Sequence, residues 1–302
     1  MRFWISTGSR VIGRIILNNG GKMDNFLFDG VPLESDYRTI IKSDSFQELE
    51  KFSNDFLSTN KASLRDYMNK WVEDPLHQWS RQWEYPFVFN RVKKIIQQAP
   101  GASVLDAGSG VTFFPYYVKA QFASVKVCCC DYDAKLTGIY GQINSGAGEG
   151  VEFSVADLRD LPYEDECFDM IYCVSVVEHT DDYEKIIDEF YRILRPGGEL
   201  VVTFDVSLDG VRDISVDKGT KLLTVLSKRF AKDSDLSLDL NALVSKPGVF
   251  TTLTAQGINA ALLPWKYPAF VYQIKSFIAT GRFCSWPPPL TVFCIHLTKS
   301  PI

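Results

Sequence analysis

Residues 104–110 read Val-Leu-Asp-Ala-Gly-Ser-Gly, and this run constrains the fold more than any other part of the chain. Val104 and Leu105 have the character of the end of a buried parallel strand. Gly108 and Gly110 then permit a sharp turn and a close approach of the backbone to a ligand, because no Cβ stands in the way. Residues 111–120 have the apolar spacing of a helix, which tolerates Pro115 only in its first turn. Strand, glycine turn and helix in that order form the ligand-binding corner of an open α/β sheet.

The alternation continues downstream. Segments 124–130, 151–156, 168–174 and 200–204 read as strands, the first two followed by Asp131 and Asp157. Residues 183–194 form an amphipathic helix with Ile186, Ile187, Phe190, Ile193 and Leu194 inward, stopped by Arg195-Pro196-Gly197-Gly198. Strands separated by helices imply right-handed crossovers and a mainly parallel sheet. Residues 290–297 alternate like a final strand, and 206–260 read as a helical insertion whose best helix spans 221–230.

Upstream, a helix is predicted from Ser45, whose spacing to Glu48 makes a capping box, with Phe46, Leu49, Phe52 and Phe56 on one face. A second carries Leu64, Tyr67, Met68, Trp71 and Val72, and a third runs from about Tyr85 to Gln98. Residues 1–43 show no clear periodicity. The expected organisation is an N-terminal extension and helical cap over 1–99, then an α/β domain over 100–302 with the insertion at about 206–260.

A chain of 302 residues is long enough for a sizeable core. Its net charge of −5 argues against nucleic acid as a partner, and no stretch approaches the ~20 apolar residues of a transmembrane segment. Arg14 interrupts the apolar run 11–17, which argues against a signal peptide. The seven cysteines have neither metal nor disulfide spacing, so no metal is expected and the setting reads as reducing and cytoplasmic.

Asp131 lies where an acidic side chain can accept both hydroxyls of a ribose, which points to a nucleoside-type cofactor. Asp157 could accept from an adenine amino group while Leu158 offers backbone groups; either Asp alone would read as a helix cap. A dinucleotide site wants a third glycine, and that position is Phe113. Asp106, just before the glycines, would repel a diphosphate and suits a cationic amino or sulfonium end. The residues favour S-adenosylmethionine over NAD.

Val104-Leu-Asp-Ala-Gly-Ser-Gly, Asp131, Ala156-Asp-Leu with Leu161-Pro162, Phe168-Asp-Met-Ile, Val177-Glu-His and Leu194-Arg-Pro-Gly-Gly resemble the ordered motifs of class I S-adenosylmethionine-dependent methyltransferases. The resemblance covers about residues 100–205. It implies a Rossmann-like three-layer sandwich, with a mostly parallel seven-stranded sheet whose last strand is antiparallel. It also implies that Asp106, Gly108 and Gly110 surround the methionine part and that Asp131 takes the ribose. Asp157 and Leu158 would take the adenine, Tyr132 would flank the base, and Val174 would end the fourth strand beside the cofactor. S-adenosylhomocysteine would be the product.

Glu178-His179 follows the fourth strand, where such enzymes face substrate, so either could take a proton from an acceptor hydroxyl; the alternative is that the pair caps the next helix. Some relatives use Glu-x-x-Glu-His for metal, but the first Glu is Ser175 here. The aromatic segment 79–87 reads equally as a lid or as a packing seam. As a lid it would offer Arg81 to a carboxylate and Trp83 or Tyr85 to a flat or sugar-like acceptor. It resembles, more loosely, segments that precede this domain in methyltransferases of bacterial surface-sugar pathways. Residues 264–289, with Trp265, Tyr267, Phe270, Tyr272, Phe277, Phe283 and Trp286, could meet a lipid headgroup or a partner, with substrate cover or a homodimer contact the favoured reading. The whole reads as an O-methyltransferase acting on a small-molecule or glycan-type acceptor. The alternatives are a protein or nucleic-acid methyltransferase and an inactive binding scaffold.

Overall fold

The computed structural model describes residues 27–300 apart from Val72, 147–149, Asp181, Asp213, 232–237, Lys266 and Tyr267. The run 11–17 with Arg14 therefore lies outside the described residues. The sheet is built from β1 (Ser103–Ala107), β2 (Lys126–Asp131), β3 (Glu152–Val155), β4 (Phe168–Val174), β5 (Leu194–Ser207), β6 (Ile214–Ser215) and β7 (Leu290–Thr298). Its order is β3-β2-β1-β4-β5, with β7 pairing the far edge of β5 antiparallel from Glu199↔Thr298 to Ser207↔Leu290. The other ladders are parallel. The two-residue β6 joins β5 at Val206 and Ser207, just past the last β4 partner, Thr203. β5 runs past the expected 200–204 at both ends: β7 pairs it from Glu199 to Ser207, and Leu194 pairs Phe168 of β4.

Alternation along the strands splits the core in two. Val104, Val127, Cys129, Met170, Tyr172, Val201 and Val292 face one cluster, while Leu105, Cys128, Cys130, Ile171, Cys173, Val202 and Phe293 face the other. The first is covered by α1 (Glu34–Ile40), α2 (Asp44–Thr59), α3 (Lys61–Lys70), α4 (Arg81–Gln98), α5 (Phe114–Gln121) and α6 (Leu136–Gly146). The second is covered by α7 (Tyr183–Ile193), α8 (Val216–Arg229) and α9 (Leu240–Val244). Helices on both faces of a mostly parallel sheet make the expected three-layer Rossmann-like sandwich. The region expected as an insertion supplies β6, α8, α9 and α10 (Thr252–Ile258); α11 (Ala269–Thr280) follows before β7.

Two helix starts differ from the sequence reading. The cap of α2 is Ser43, whose hydroxyl accepts the Phe46 N–H at 3.2 Å, so the helix begins before Ser45 and places Asp44 in its first turn. α4 begins at Arg81, well before Tyr85, and carries Pro86 inside it, where proline removes the bond to the Gln82 carbonyl. Burial explains why α4 persists: Gln82 through Val88 are all buried, so packing outweighs the missing bond. The segment 79–87 is thus a seam between cap and sheet.

The N-terminal segment also closes the open edge. Gly30 exchanges backbone bonds with Cys294 of β7 at 2.7 and 3.0 Å, and the Asp29 carboxylate accepts the His296 N–H at 3.1 Å. On the other side of α4, Arg91 makes a bidentate pair with Glu199 of β5 at 2.9 and 2.6 Å, with both side chains nearly buried. Removing one partner strands a charge, so Arg91→Leu is expected to cost about 3 kcal/mol. Read by thermal melting, that is a fall of about 6 °C, and a double Arg91→Leu/Glu199→Leu variant should recover most of it. Equal melting temperatures for wild type and Arg91→Leu would show that the pair contributes nothing.

Candidate functional site

The register sets the chemistry-bearing residues side by side. Ala107 pairs Cys130, Asp131 pairs Val155 and Asp106 pairs Tyr172, so β1, β2, β3 and β4 end at one edge of the sheet. The strand order reverses between β1 and β4, and ligands of open α/β sheets bind at that crevice. The glycine turn sits there. Gly108 has φ +75° and a Cβ on it would lie 2.7 Å from the Val176 methyls; Gly110 has φ +51°. The amides of Gly108 and Ser109 both donate to the Cys130 carbonyl at 2.9 Å, tying the turn to the end of β2.

Asp131 closes this corner. One oxygen accepts the Gly110 N–H at 3.0 Å and the other the Asp133 N–H at 3.0 Å. Asp106 is buried beneath the turn. Burial pushes its carboxyl up to about 8, the nearby Tyr172 hydroxyl opposes this, and the charge of Asp131 adds to it. A carboxyl in this state suits a ligand that brings a positive charge. Tyr132, by contrast, is 75% exposed next to Asp131. Val174 is half-buried at the end of β4, and Leu158 is half-buried beyond β3. Asp157 is exposed and held by Arg159 at 2.9 and 2.5 Å, a pair that pulls its carboxyl down to about 2.

A tyrosine from the cap completes the corner. The Tyr67 hydroxyl of α3 accepts the Val111 N–H at 3.0 Å and lies where a side chain on Gly110 would stand. Burial raises this phenol, and the charges of Asp131 and Asp106 act in the same direction. The sequence placed Tyr67 on a helix stripe, where it reads as core; nothing local reveals a partner 44 residues away.

Beside the turn, over the ends of β4 and β5, lies a buried polar cluster. Glu84 of α4 has no solvent exposure and is bonded by Arg81, by the Ser175 hydroxyl at 2.7 Å and by the Thr203 hydroxyl. Arg81 also donates to Ser175 Oγ at 2.5 Å. Ser175 is held at φ +50°, a conformation that costs free energy for a non-glycine residue and is fixed here by its own N–H to the Thr203 carbonyl at 3.0 Å. Glu178 lies in a single 3-10 turn, Val177–His179. One of its oxygens accepts the Asp205 N–H at 3.4 Å and the other is buried with no hydrogen-bond partner. Burial pushes Glu178 up to about 8, against the nearby Arg81, which favours its protonated form. His179 next to it is exposed.

The structure thus brings Arg81 and Glu178 together but separates the other expected acceptor contacts. Trp83 is fully buried, its ring 5.9 Å from Phe28, and Tyr85 is buried on Phe113 and Phe114 at 5.2 and 4.7 Å. Both serve the aromatic seam. Among the described residues, no group of three or more His, Cys, Asp or Glu is placed to hold a metal, and no helix is long and apolar enough to cross a membrane. All seven cysteines are free.

Comparison with known proteins agrees with this geometry. Residues 105–202 match the family model described as a methyltransferase domain. Phosphoethanolamine N-methyltransferase 3 of Arabidopsis thaliana is 33% identical over 104 residues, which is 34% of this chain and 21% of that protein. Sterol 24-C-methyltransferase of Yarrowia lipolytica is 26% identical over 200 residues, 61% of this chain and 50% of that protein. The chain therefore spans a fifth to a half of the length of these relatives. Among solved structures, a candidate sarcosine dimethylglycine methyltransferase from Galdieria sulphuraria shares the fold. It aligns with a TM-score of 0.50 at 16% identity, over 79% of this chain and 98% of that one. Residues 105–202, about a third of the chain, thus match a methyltransferase domain, and the sheet around them has the fold of a methyltransferase structure.

Proposed function

We propose that the chain transfers a methyl group from S-adenosylmethionine to a small-molecule acceptor. The observation that carries this reading is the corner at the reversal of strand order: two left-handed glycines over a buried carboxyl, with Asp131 at the end of the next strand. When bound, S-adenosylmethionine supplies a methyl group on a sulfonium centre that a nucleophile displaces in line. Asp106, Gly108 and Gly110 hold the methionine part, and Asp131 takes the ribose hydroxyls. Leu158 and Asp157 meet the adenine, beside Tyr132 and Val174.

The acceptor sits over the end of β4, against Arg81, Ser175 and the unpartnered oxygen of Glu178. The buried Glu178 positions the acceptor through its unpartnered oxygen, and the exposed His179 is the proton acceptor for a hydroxyl nucleophile. Tyr67 and α3 cover the corner and exclude water. An oxygen on a small molecule or glycan is the acceptor this arrangement supports. The relatives named for nitrogen and carbon methylation show that the domain serves other atoms as well. Free, mostly buried cysteines support a cytoplasmic setting.

S-adenosylhomocysteine is expected to raise the melting temperature, and Asp131→Ala to abolish most of the rise. No shift at millimolar ligand would refute the cofactor assignment, and an unchanged shift in the variant would refute the ribose contact. Labelled methyl transfer onto cell-extract fractions, including nucleotide sugars and glycans, identifies the acceptor. Label sensitive to protease or nuclease would favour a protein or nucleic-acid acceptor, and binding without transfer would favour a scaffold. In His179→Ala, kcat should fall about 100-fold with cofactor binding unchanged.

Binding should also depend on pH. Asp106 is protonated below about 8 and must ionise to pair with a cationic ligand, so binding releases a proton and affinity rises from pH 6 to 8. Calorimetry in buffers of different ionisation heat measures that release. In Asp106→Asn both the release and the rise should vanish; their persistence would assign the titration to another group.

A further inference from the structure

The last helix before β7 is built inside out. In α11, Phe270, Ile274, Phe277 and Ile278 follow the spacing of one helical stripe, and all are exposed, Phe270 by 61% and Ile278 by 78%. The helix meets the protein through Tyr272 and Ser276, which are buried. The Ser276 hydroxyl accepts the Cys284 N–H at 3.2 Å, folding the chain back after Gly281. That return lays Phe283, 69% exposed, against Phe277 with ring centres 4.6 Å apart, and extends the apolar stripe. A helix facing only water would carry these residues on its other side.

The charge of the segment that carries this helix is one-sided, with Asp209 of the loop after β5 acting on Tyr272 at the helix's inner face. The chain is acidic overall, yet no Asp or Glu occurs after Asp239, while Lys246, Lys266, Lys275 and Arg282 all do. Lys275 stands within the stripe's own helix and Arg282 beside Phe283. Trp265 and Trp286, 5.9 Å apart, lie behind the helix and are only partly buried. Phenylalanine and isoleucine outward, with cations beside them, is the pattern of a helix lying in the plane of a lipid interface.

We propose that the outer face of α11 with Phe283 docks on an anionic lipid surface. A second copy fits this face less well, because a two-fold contact would set Lys275 and Arg282 against their own equivalents. The docked face lies on the site's side of the sheet. Arg212, on the loop after β5, stands over the Tyr272 ring at 4.9 Å and the Trp265 ring at 5.7 Å, and Leu208 donates to the Pro289 carbonyl at 2.9 Å. β7 also begins at this edge, being antiparallel to β5.

Flotation with vesicles tests the proposal independently of any methyl transfer. The full chain should bind phosphatidylcholine vesicles containing about 30% phosphatidylglycerol. The bound fraction should fall about tenfold on pure phosphatidylcholine or in about 0.5 M salt. Phe270→Ser/Ile274→Ser/Ile278→Ser should lose about tenfold at a nearly unchanged melting temperature, because these side chains are more than half exposed. Should that variant fail to fold, Ile278→Ser alone serves, and Lys275→Glu/Arg282→Glu should abolish the preference for anionic lipid. A wild-type chain that stays unbound on anionic vesicles overturns the proposal, as do variants that bind like wild type. A dimer that the triple variant converts to monomer, with no vesicle binding, would make this face a contact between copies.

Discussion

A carboxylate with no access to water survives in a protein core only where other groups replace its hydration, and Glu84 is such a group. Arg81 neutralises it, and hydroxyls from Ser175 and Thr203 satisfy it. These partners come from the ends of β4 and β5, so the bonds fix α4 to the sheet at the edge where ligands bind. They also hold Ser175 in its left-handed conformation, which turns the chain after β4 and places Glu178 and His179. A satisfied buried network of this kind specifies one arrangement of helix and strands, whereas the apolar contacts around it would tolerate several.

The sheet was legible because a buried parallel strand leaves a dense, short apolar run bounded by turn residues. β4 falls on the predicted 168–174, and β7 extends the predicted 290–297 by one residue. The glycine turn and Asp131 were legible for a related reason: the functional residues of this corner sit immediately after strands, so local order in the sequence is spatial order in the site. The register then sets Asp106, Gly108, Gly110 and Asp131 along one edge.

What escaped the sequence depends on contacts between distant segments. Tyr67 caps the glycine turn from α3, and Glu84 meets Thr203 across 119 residues. Neither residue differs in type or spacing from an ordinary member of a helix face. The start of α4 also escaped, because Pro86, a residue that favours the first turn of a helix, lies inside this one and is held there by burial. Trp83 and Tyr85 looked available to a ligand because aromatic residues serve binding and packing alike, and only their burial separates the two.

The bridge between Gly30 and Cys294 carries a consequence for how the molecule comes into being. Protein synthesis delivers the cap helices first, yet the strand that anchors their leading segment is the last to be made. Until β7 pairs with β5, the segment around Gly30 has no edge to join and Asp29 has no His296 to receive. The segment around Gly30 must therefore wait for β7, while α3 and α4 already have partners in the earlier strands. Sealing of this edge at Gly30 therefore follows the synthesis of β7, whereas Tyr67 and the glycine turn it covers are both complete much earlier in the chain.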